Sequence, residues 1–379
     1  MAVIGTGFVG PHHIDAIRRI GLADVVAIAG TDPARTADRA AALGIDDWTT
    51  DTAVLLADPA IDVVHICTPN RTHVALATAV LQAGKHVVVE KPLALDLAEA
   101  RSLVALARRV DRHAAVTLTY RGYPMVRRAR ALVADGVLGD LRLVHGVYLQ
   151  DWLAGPSDHN WRVDAAIGGA SGAVADIGSH WFDTAEFIAG RRIQGVFADL
   201  ATFVPRRRRP LAHASAFGGA AGPVEDVEVS TEDAATILVR FEGGARGACV
   251  ISQVSPGRKN ELTVELAGAR RTISWRQEDP ELLWVRGRKR SSVLTRGPDE
   301  GTAGPGIPSL PAGHPEGWSD ALRDLLRPFY AAVASGRSIP EPGTAAYPTL
   351  EHGARGVAFI EAVLGSARKG AWASIPGSS

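Results

Sequence analysis

Residues 2–10 read Ala2-Val3-Ile4-Gly5-Thr6-Gly7-Phe8-Val9-Gly10, and this stretch decides the fold. Three apolar residues make a strand, and glycines at positions 5, 7 and 10 give a G-x-G-x-x-G turn that leads into a helix. Gly5 permits the tight turn, Gly7 lets backbone approach a pyrophosphate, and Gly10 lets helix pack closely on strand. The first N–H groups of the helix face the anion. Residues Gly5, Thr6, Gly7, Phe8, Val9 and Gly10 are therefore expected to cradle a dinucleotide.

Outward from this turn, residues 2–119 alternate short apolar runs (2–4, 25–29, 63–67, 86–90) with helical stretches (11–20, 34–43, 73–83, 97–110). That order specifies an α/β Rossmann fold, a doubly wound parallel sheet covered on both faces. Residues 117–120 are expected to be its last strand. Beyond Tyr120 the strands follow one another, at 141–150, 196–204, 234–241, 245–254, 262–267 and 271–275, with a helix at 124–135 and another over 176–189. Consecutive strands predict a C-terminal α+β domain with a large, mostly antiparallel, open-faced sheet. The expected domains are 1–119 for the dinucleotide and 120–379 for substrate binding and oligomerisation, with the terminal helices packing back on the first. Residues 288–318, crowded with Gly, Pro and Ser, are expected to form a long functional loop.

A chain of 379 residues exceeds what one core usually supports, in agreement with two domains. Its 41 basic and 41 acidic residues cancel, which removes a field-driven case for nucleic acid or an anionic membrane as partner. The run Arg206-Arg207-Arg208-Arg209 is expected to be a solvated loop. Cys67 and Cys249 lie in apolar runs and read as two buried free thiols, as in a reducing cytoplasm. No apolar run reaches the roughly 18 residues of a membrane span, and the start of the chain lacks a charged leader, so a cytoplasmic location is expected. No zinc-type cluster, Walker lysine or nucleophile elbow is present, which disfavours a metal site and phosphoryl transfer.

Four further stretches carry chemistry. Gly30-Thr31-Asp32 ends the second strand, where the adenosine ribose is read; Gly30 stands where an acid is usual for NAD, and Arg35 is placed to reach a 2'-phosphate, so NAD is expected and NADP stays open. Thr68-Pro69-Asn70-Arg71-Thr72-His73 follows another strand, placing Asn70 and His73 toward the ribose or nicotinamide and Thr72 at a helix N-cap. Glu90-Lys91-Pro92 ends the next strand, with Lys91 positioned to stabilise an alkoxide or relay a proton and Glu90 to hold it. Asp176 and His180, four apart on one helix, put a carboxylate beside an imidazole able to take a hydroxyl proton. Asp151, Trp152, Asn160, Trp161 and Arg162 offer aromatic faces and polar groups of the kind that hold sugars, with Tyr120 and Arg121 as further pocket residues; core packing is the alternative reading for the tryptophans. His12 and His13 read as structural.

The Gly5, Gly7 and Gly10 turn, Thr68-Pro69-Asn70 with His73, Glu90-Lys91-Pro92 and Asp176-Ile177-Gly178-Ser179-His180 together resemble the glucose-fructose oxidoreductase, inositol dehydrogenase and rhizopine-catabolism (Gfo/Idh/MocA) family over the whole chain. The resemblance implies a catalytic Lys91, Asp176 and His180 and an oligomer, a dimer or tetramer. Within the family, residues 150–162 and 176–181 are similar to the levoglucosan dehydrogenase branch and to aminoglycoside-pathway enzymes. That implies NAD(P)-dependent oxidation of a secondary hydroxyl, at C3, of a pyranoside, anhydrosugar, aminoglycoside or cyclitol. Gly172 departs from that branch, which carries a larger basic residue there. Two rivals are an enzyme that recycles a tightly bound NAD in place and a non-catalytic nicotinamide sensor.

Overall fold

The structure, a computed structural model, describes residues 1–211, 222–297, 310–341 and 343–377. It divides into two compact units: Met1–Thr119 with Trp318–Ala354, and Tyr120–Gly317 with Arg355–Ser379.

In the first unit, six parallel strands, β1 (Ala2–Ile4), β2 (Ala27–Ala29), β3 (Asp47–Thr49), β4 (Val63–Ile66), β5 (His86–Val89) and β6 (Ala114–Val116), lie in the order β3-β2-β1-β4-β5-β6. This is the doubly wound order, and it reverses between β1 and β4, where Val3 sits opposite both Ile28 and His65. The central strands are fully buried because helices cover both faces. Ile14, Ile17 and Ile20 of helix Val9–Ile20 meet Leu322, Leu326, Phe329 and Tyr330 of helix Trp318–Ala334 in one apolar cluster. Two expectations fail here. The last strand is Ala114–Val116, and the chain then enters a 3₁₀ turn at Thr119–Gly122; Thr117–Tyr120 has strand-like composition, but Pro124 opens a helix close behind. β3 escaped the sequence reading because it is an edge strand whose residues are largely exposed, so it needs no apolar run.

The second unit continues with β7 (Leu141–Leu149), β8 (Ile193–Ala201), β9 (Arg206–Pro210), β10 (Val224–Glu228), β11 (Ala234–Phe241), β12 (Arg246–Ser252), β13 (Glu261–Gly268), β14 (Arg271–Arg276), β15 (Leu282–Gly287), β16 (Ser291–Thr295) and β17 (Ala373–Ser374). Nine of these form one sheet, ordered β16-β15-β14-β13-β7-β12-β11-β8-β17, antiparallel except at β7–β12. Helix Ser179–Ala189 packs on β7 and β13, where the Trp181 indole donates to the Thr263 carbonyl at 3.1 Å. The opposite face carries exposed Leu143, Leu238, Val250 and Trp284.

The arginine run is a correction. It forms β9 and pairs with β10, so its side chains alternate, and Arg207 is fully buried. Its guanidinium donates to the carbonyls of Leu153, Gly155 and Asp158 and to Asp233 Oδ1 at 2.8 Å, the partner that makes burial of the charge tolerable. Part of the expected 288–318 loop is the strand Ser291–Thr295, while residues 298–309 lie outside the described residues. Among the described residues no helix is long and apolar enough to cross a membrane, and no group of three His, Cys, Asp or Glu could hold a metal.

Candidate active site

At the switch point of the parallel sheet, Gly5 has φ 101°, and its N–H donates to the Ala29 carbonyl at 2.8 Å. A Cβ there would lie 2.5 Å from the Cys67 carbonyl oxygen, and one on Gly10 would lie 2.2 Å from the Gly5 carbonyl oxygen. A Cβ on Gly7 would meet nothing within 4 Å. The turn is thus closed against strand and helix and open at Gly7, as the cradle for a pyrophosphate requires. Helix Val9–Ile20 begins at Phe8 with no side-chain cap, so the cap position itself offers no competing oxygen to an anion.

At the end of β2, a side chain on Gly30 would collide with the Thr36 hydroxyl, which accounts for the missing acid. Asp32 caps helix Pro33–Leu43 by accepting from the Arg35 N–H at 2.8 Å, and Arg35 Nε lies 3.7 Å from the same carboxylate. Thr31 joins the two positions.

After β4, residues Asn70–Thr72 form a 3₁₀ turn with Asn70 buried. His73 does not stand free toward a ligand: Nδ1 lies 2.8 Å from the Pro92 carbonyl and Nε2 2.8 Å from that of Thr68. The buried ring staples the loops after β4 and β5 together, and burial lowers its pKa. Nor does the Thr72 hydroxyl cap the helix; it turns back to Thr68 Oγ1 and the Pro69 carbonyl, both at 2.7 Å.

Glu90 and Lys91 follow β5, and the Lys91–Pro92 peptide is cis. Glu90 Oε1 takes hydrogen bonds from His13 Nε2, at 3.0 Å, and from the Thr117 hydroxyl. Burial raises the Glu90 carboxyl, but those two donors, with His13 and Lys91 charge nearby, outweigh burial and hold it at about 2. His13, read as merely structural, is thus a partner of the motif; its position on the buried face of the first helix, three residues beyond Gly10, was the only signal.

In the second unit, the expected helix over 176–189 begins as a π-helical turn, Val174–Gly178, and becomes α-helical at Ser179. Glu232 anchors that turn, accepting from the Ser171 hydroxyl at 2.7 Å and the Val174 N–H at 2.9 Å. A Cβ on Gly172 would lie 2.5 Å from the Glu232 carbonyl oxygen, so this backbone leaves no room for a larger residue there. Asp176 Oδ1 lies 3.2 Å from Arg162 Nε, and Oδ2 accepts from Gln253 Nε2 at 2.7 Å. Gln253 gave no signal in the sequence. π-turns of this kind concentrate at functional sites.

His180 meets the Tyr120 ring edge-to-face at 5.0 Å and lies 6.4 Å from that of Tyr148. The two tyrosine hydroxyls touch, Tyr148 donates to Asn260 Oδ1 at 2.7 Å, and burial raises both phenols. Gln150 joins Asn260 at 2.8 Å and accepts from the Trp152 indole at 2.8 Å. Trp152 is partly buried and packs against the small cluster of Leu153, Val163 and Val229.

Other sugar-binding expectations meet partners of their own. Asp151 takes Lys259 at 2.7 Å and the Gly257 N–H at 3.0 Å. Asn160 Oδ1 caps Trp161–Val163 and accepts from Arg162, whose guanidinium lies 4.5 Å over Trp161. Arg121 grips Asp183 with both nitrogens, Nε at 2.9 Å, and rests on Phe187. Lys91 belongs to the first unit; Asp176, His180 and residues 151–162 belong to the second.

Residues 1–118 match the family described as "Oxidoreductase family, NAD-binding Rossmann fold", and residues 126–274 match "GFO/IDH/MocA C-terminal domain". Levoglucosan dehydrogenase from Pseudarthrobacter phenanthrenivorans is 31% identical, over 99% of this chain and 98% of that protein. A solved levoglucosan dehydrogenase in complex with NADH and levoglucosan superposes with a TM-score of 0.87 at 29% identity, covering 99% of this chain and 98% of that one. An inositol dehydrogenase homologue from Azotobacter vinelandii, complexed with NAD+, gives 0.85 at 30%, covering 98% and 96%.

Proposed function

The chain belongs to the GFO/IDH/MocA oxidoreductase family, and from that premise we propose that it oxidises a secondary hydroxyl, at C3, of a pyranoside, anhydrosugar, aminoglycoside or cyclitol reversibly to the ketone. One observation carries the choice of substrate class: levoglucosan dehydrogenase matches this chain end to end. The closed Gly5 and Gly10 and the open Gly7 fit the pyrophosphate of NAD, with Thr31, Asp32 and Arg35 at the adenosine end and Thr68, Pro69, Asn70, Glu90 and Lys91 toward the nicotinamide; NADP remains the alternative. Bound NAD supplies the acceptor for the hydride leaving the carbinol carbon.

His180 takes the hydroxyl proton as that carbon is oxidised, and its imidazole is held against the edge of Tyr120. The Lys91 ammonium stabilises the developing alkoxide. Asp176, fixed by Arg162 and Gln253, orients the substrate hydroxyl and the imidazole. Tyr120, Arg121, Asp151, Trp152 and the Asn160–Arg162 stretch line the sugar, and the nine-stranded sheet offers its exposed face for assembly as a dimer or tetramer.

The test is absorbance of reduced nicotinamide with NAD or NADP across a panel of pyranosides, anhydrosugars, aminoglycosides and inositols. Turnover abolished by Lys91→Ala and by His180→Ala is expected. Absence of turnover across the panel, or full activity in both variants, overturns the assignment.

A further inference from the structure

A line of buried polar side chains runs through the first unit behind Glu90. His13 Nδ1 lies 2.7 Å from His65 Nδ1, and His65 Nε2 lies 2.8 Å from the Tyr330 hydroxyl. His13 and His65 are wholly buried, and Tyr330 is 2% exposed. The contact partners assign the protons. Two Nδ1 atoms at 2.7 Å share one hydrogen, and a carboxylate facing His13 Nε2 at 3.0 Å requires a proton on that nitrogen. With neutral rings a single arrangement satisfies every contact: Tyr330 donates to His65 Nε2, His65 Nδ1–H donates to His13 Nδ1, and His13 Nε2–H donates to Glu90. Burial disfavours charge on His65, in agreement with a neutral ring. Adding a proton to His13 reverses the two inner bonds but leaves Nε2–H on the carboxylate.

We propose that His13, with His65 and Tyr330 behind it, is a positioning residue for Lys91: the chain delivers a fixed N–H to Glu90 and keeps that carboxylate charged beside the lysine. An imidazole donating through Nε2 keeps this bond whether or not Nδ1 also carries a proton, because the relay behind it reverses to suit. The groups around the carboxylate are His13, Thr117, Lys91, His73 and the Cys67 thiol. Those acting on His65 are His13, Tyr330 and the Met1 ammonium. Among them Lys91, whose ammonium the proposed reaction uses, directly follows Glu90 beyond β5. The role of that ammonium in turnover rests on the dehydrogenase assignment; the hydrogen-bond chain does not.

Three measurements test the chain, two of them without substrate or cofactor. Long-range ¹H–¹⁵N spectra of the wild-type protein labelled at histidine are expected to show His13 protonated at Nε2 and His65 at Nδ1; a neutral His13 protonated at Nδ1 overturns the proposal. Carboxyl ¹³C titration of Glu90 is expected to stay ionised through the acid range in wild type and in His13→Gln, whose amide N–H replaces the imidazole's. In His13→Leu it is expected to rise to the ordinary glutamate range or above, since burial then meets less opposition. An unchanged titration in His13→Leu overturns the proposal, and should that variant not fold, the tautomers of the wild type still decide. In turnover with a sugar substrate, His13→Leu and Glu90→Gln are expected to lower kcat with little change in KM, while His13→Gln retains most of the activity. An undiminished kcat in both His13→Leu and Glu90→Gln refutes the link to Lys91, whereas correct tautomers and titrations without any sugar turnover refute only the dehydrogenase assignment.

Discussion

Glu90 in the first unit and Asp176 in the second are carboxylates of nearly equal side-chain exposure, 16% and 15%, each held by two donors of different kinds. Glu90 is bound by an imidazole and a hydroxyl, and the imidazole is itself held from behind by His65. Asp176 is bound by a guanidinium and an amide, and the guanidinium cancels much of its charge. Equal exposure rules out solvent as the cause of the difference. The first arrangement is a relay whose protons can reverse; the second is a fixed clamp, in line with the orienting role proposed for Asp176.

The largest effect separates the reacting groups from their supports. Lys91→Ala and His180→Ala are each expected to lower kcat by about 10²–10⁴-fold, and Asp176→Asn by less; steady-state kinetics ranks them, and an Asp176→Asn loss equal to His180→Ala breaks the distinction. Next comes acid stability. The folded value of about 2 for Glu90 lies below that of the unfolded chain, so its stabilisation is complete above about pH 4.3 and is lost as pH falls toward 2. The amount is about 3 kcal/mol, read as the pH dependence of urea unfolding that Glu90→Gln lacks; equal slopes in the two proteins count against it.

A smaller cost is expected at Arg162→Leu, about 1–3 kcal/mol in chemical denaturation, because the Asp176 carboxylate loses a charged donor. The smallest is Asp32→Ala, about 1 kcal/mol from loss of the helix cap, recovered by Asp32→Ser. NADH titration of the same pair sharpens the assignment: weaker binding in both variants makes Asp32 a ribose contact as well as a cap.

Much of the parallel unit was legible because its signals are local. The turn at Gly5–Gly10, the buried strands and the lysine after β5 each lie within a few residues of the chain, where backbone sterics and apolar periodicity act directly. Legibility fell where a side chain's partner lies elsewhere. The sequence shows that His73 follows a strand, but not that both its nitrogens are taken by carbonyls of two different loops. It likewise shows four arginines in a row, while the burial of Arg207 depends on Asp233 and three carbonyls from residues 153–158. The π-turn at Val174–Gly178 has helical composition, and its widening goes with the Glu232 anchor beneath it.

By itself the amino-acid order determined the doubly wound sheet, the open-backed glycine turn and the strand end that carries Lys91, since each follows from local backbone preference and the burial of short apolar runs. Only the tertiary structure decided which donors hold the two carboxylates. His13 and Glu90 are 77 residues apart, as are Asp176 and Gln253, and hydrogen bonds over such separations exist only once packing has brought the partners together.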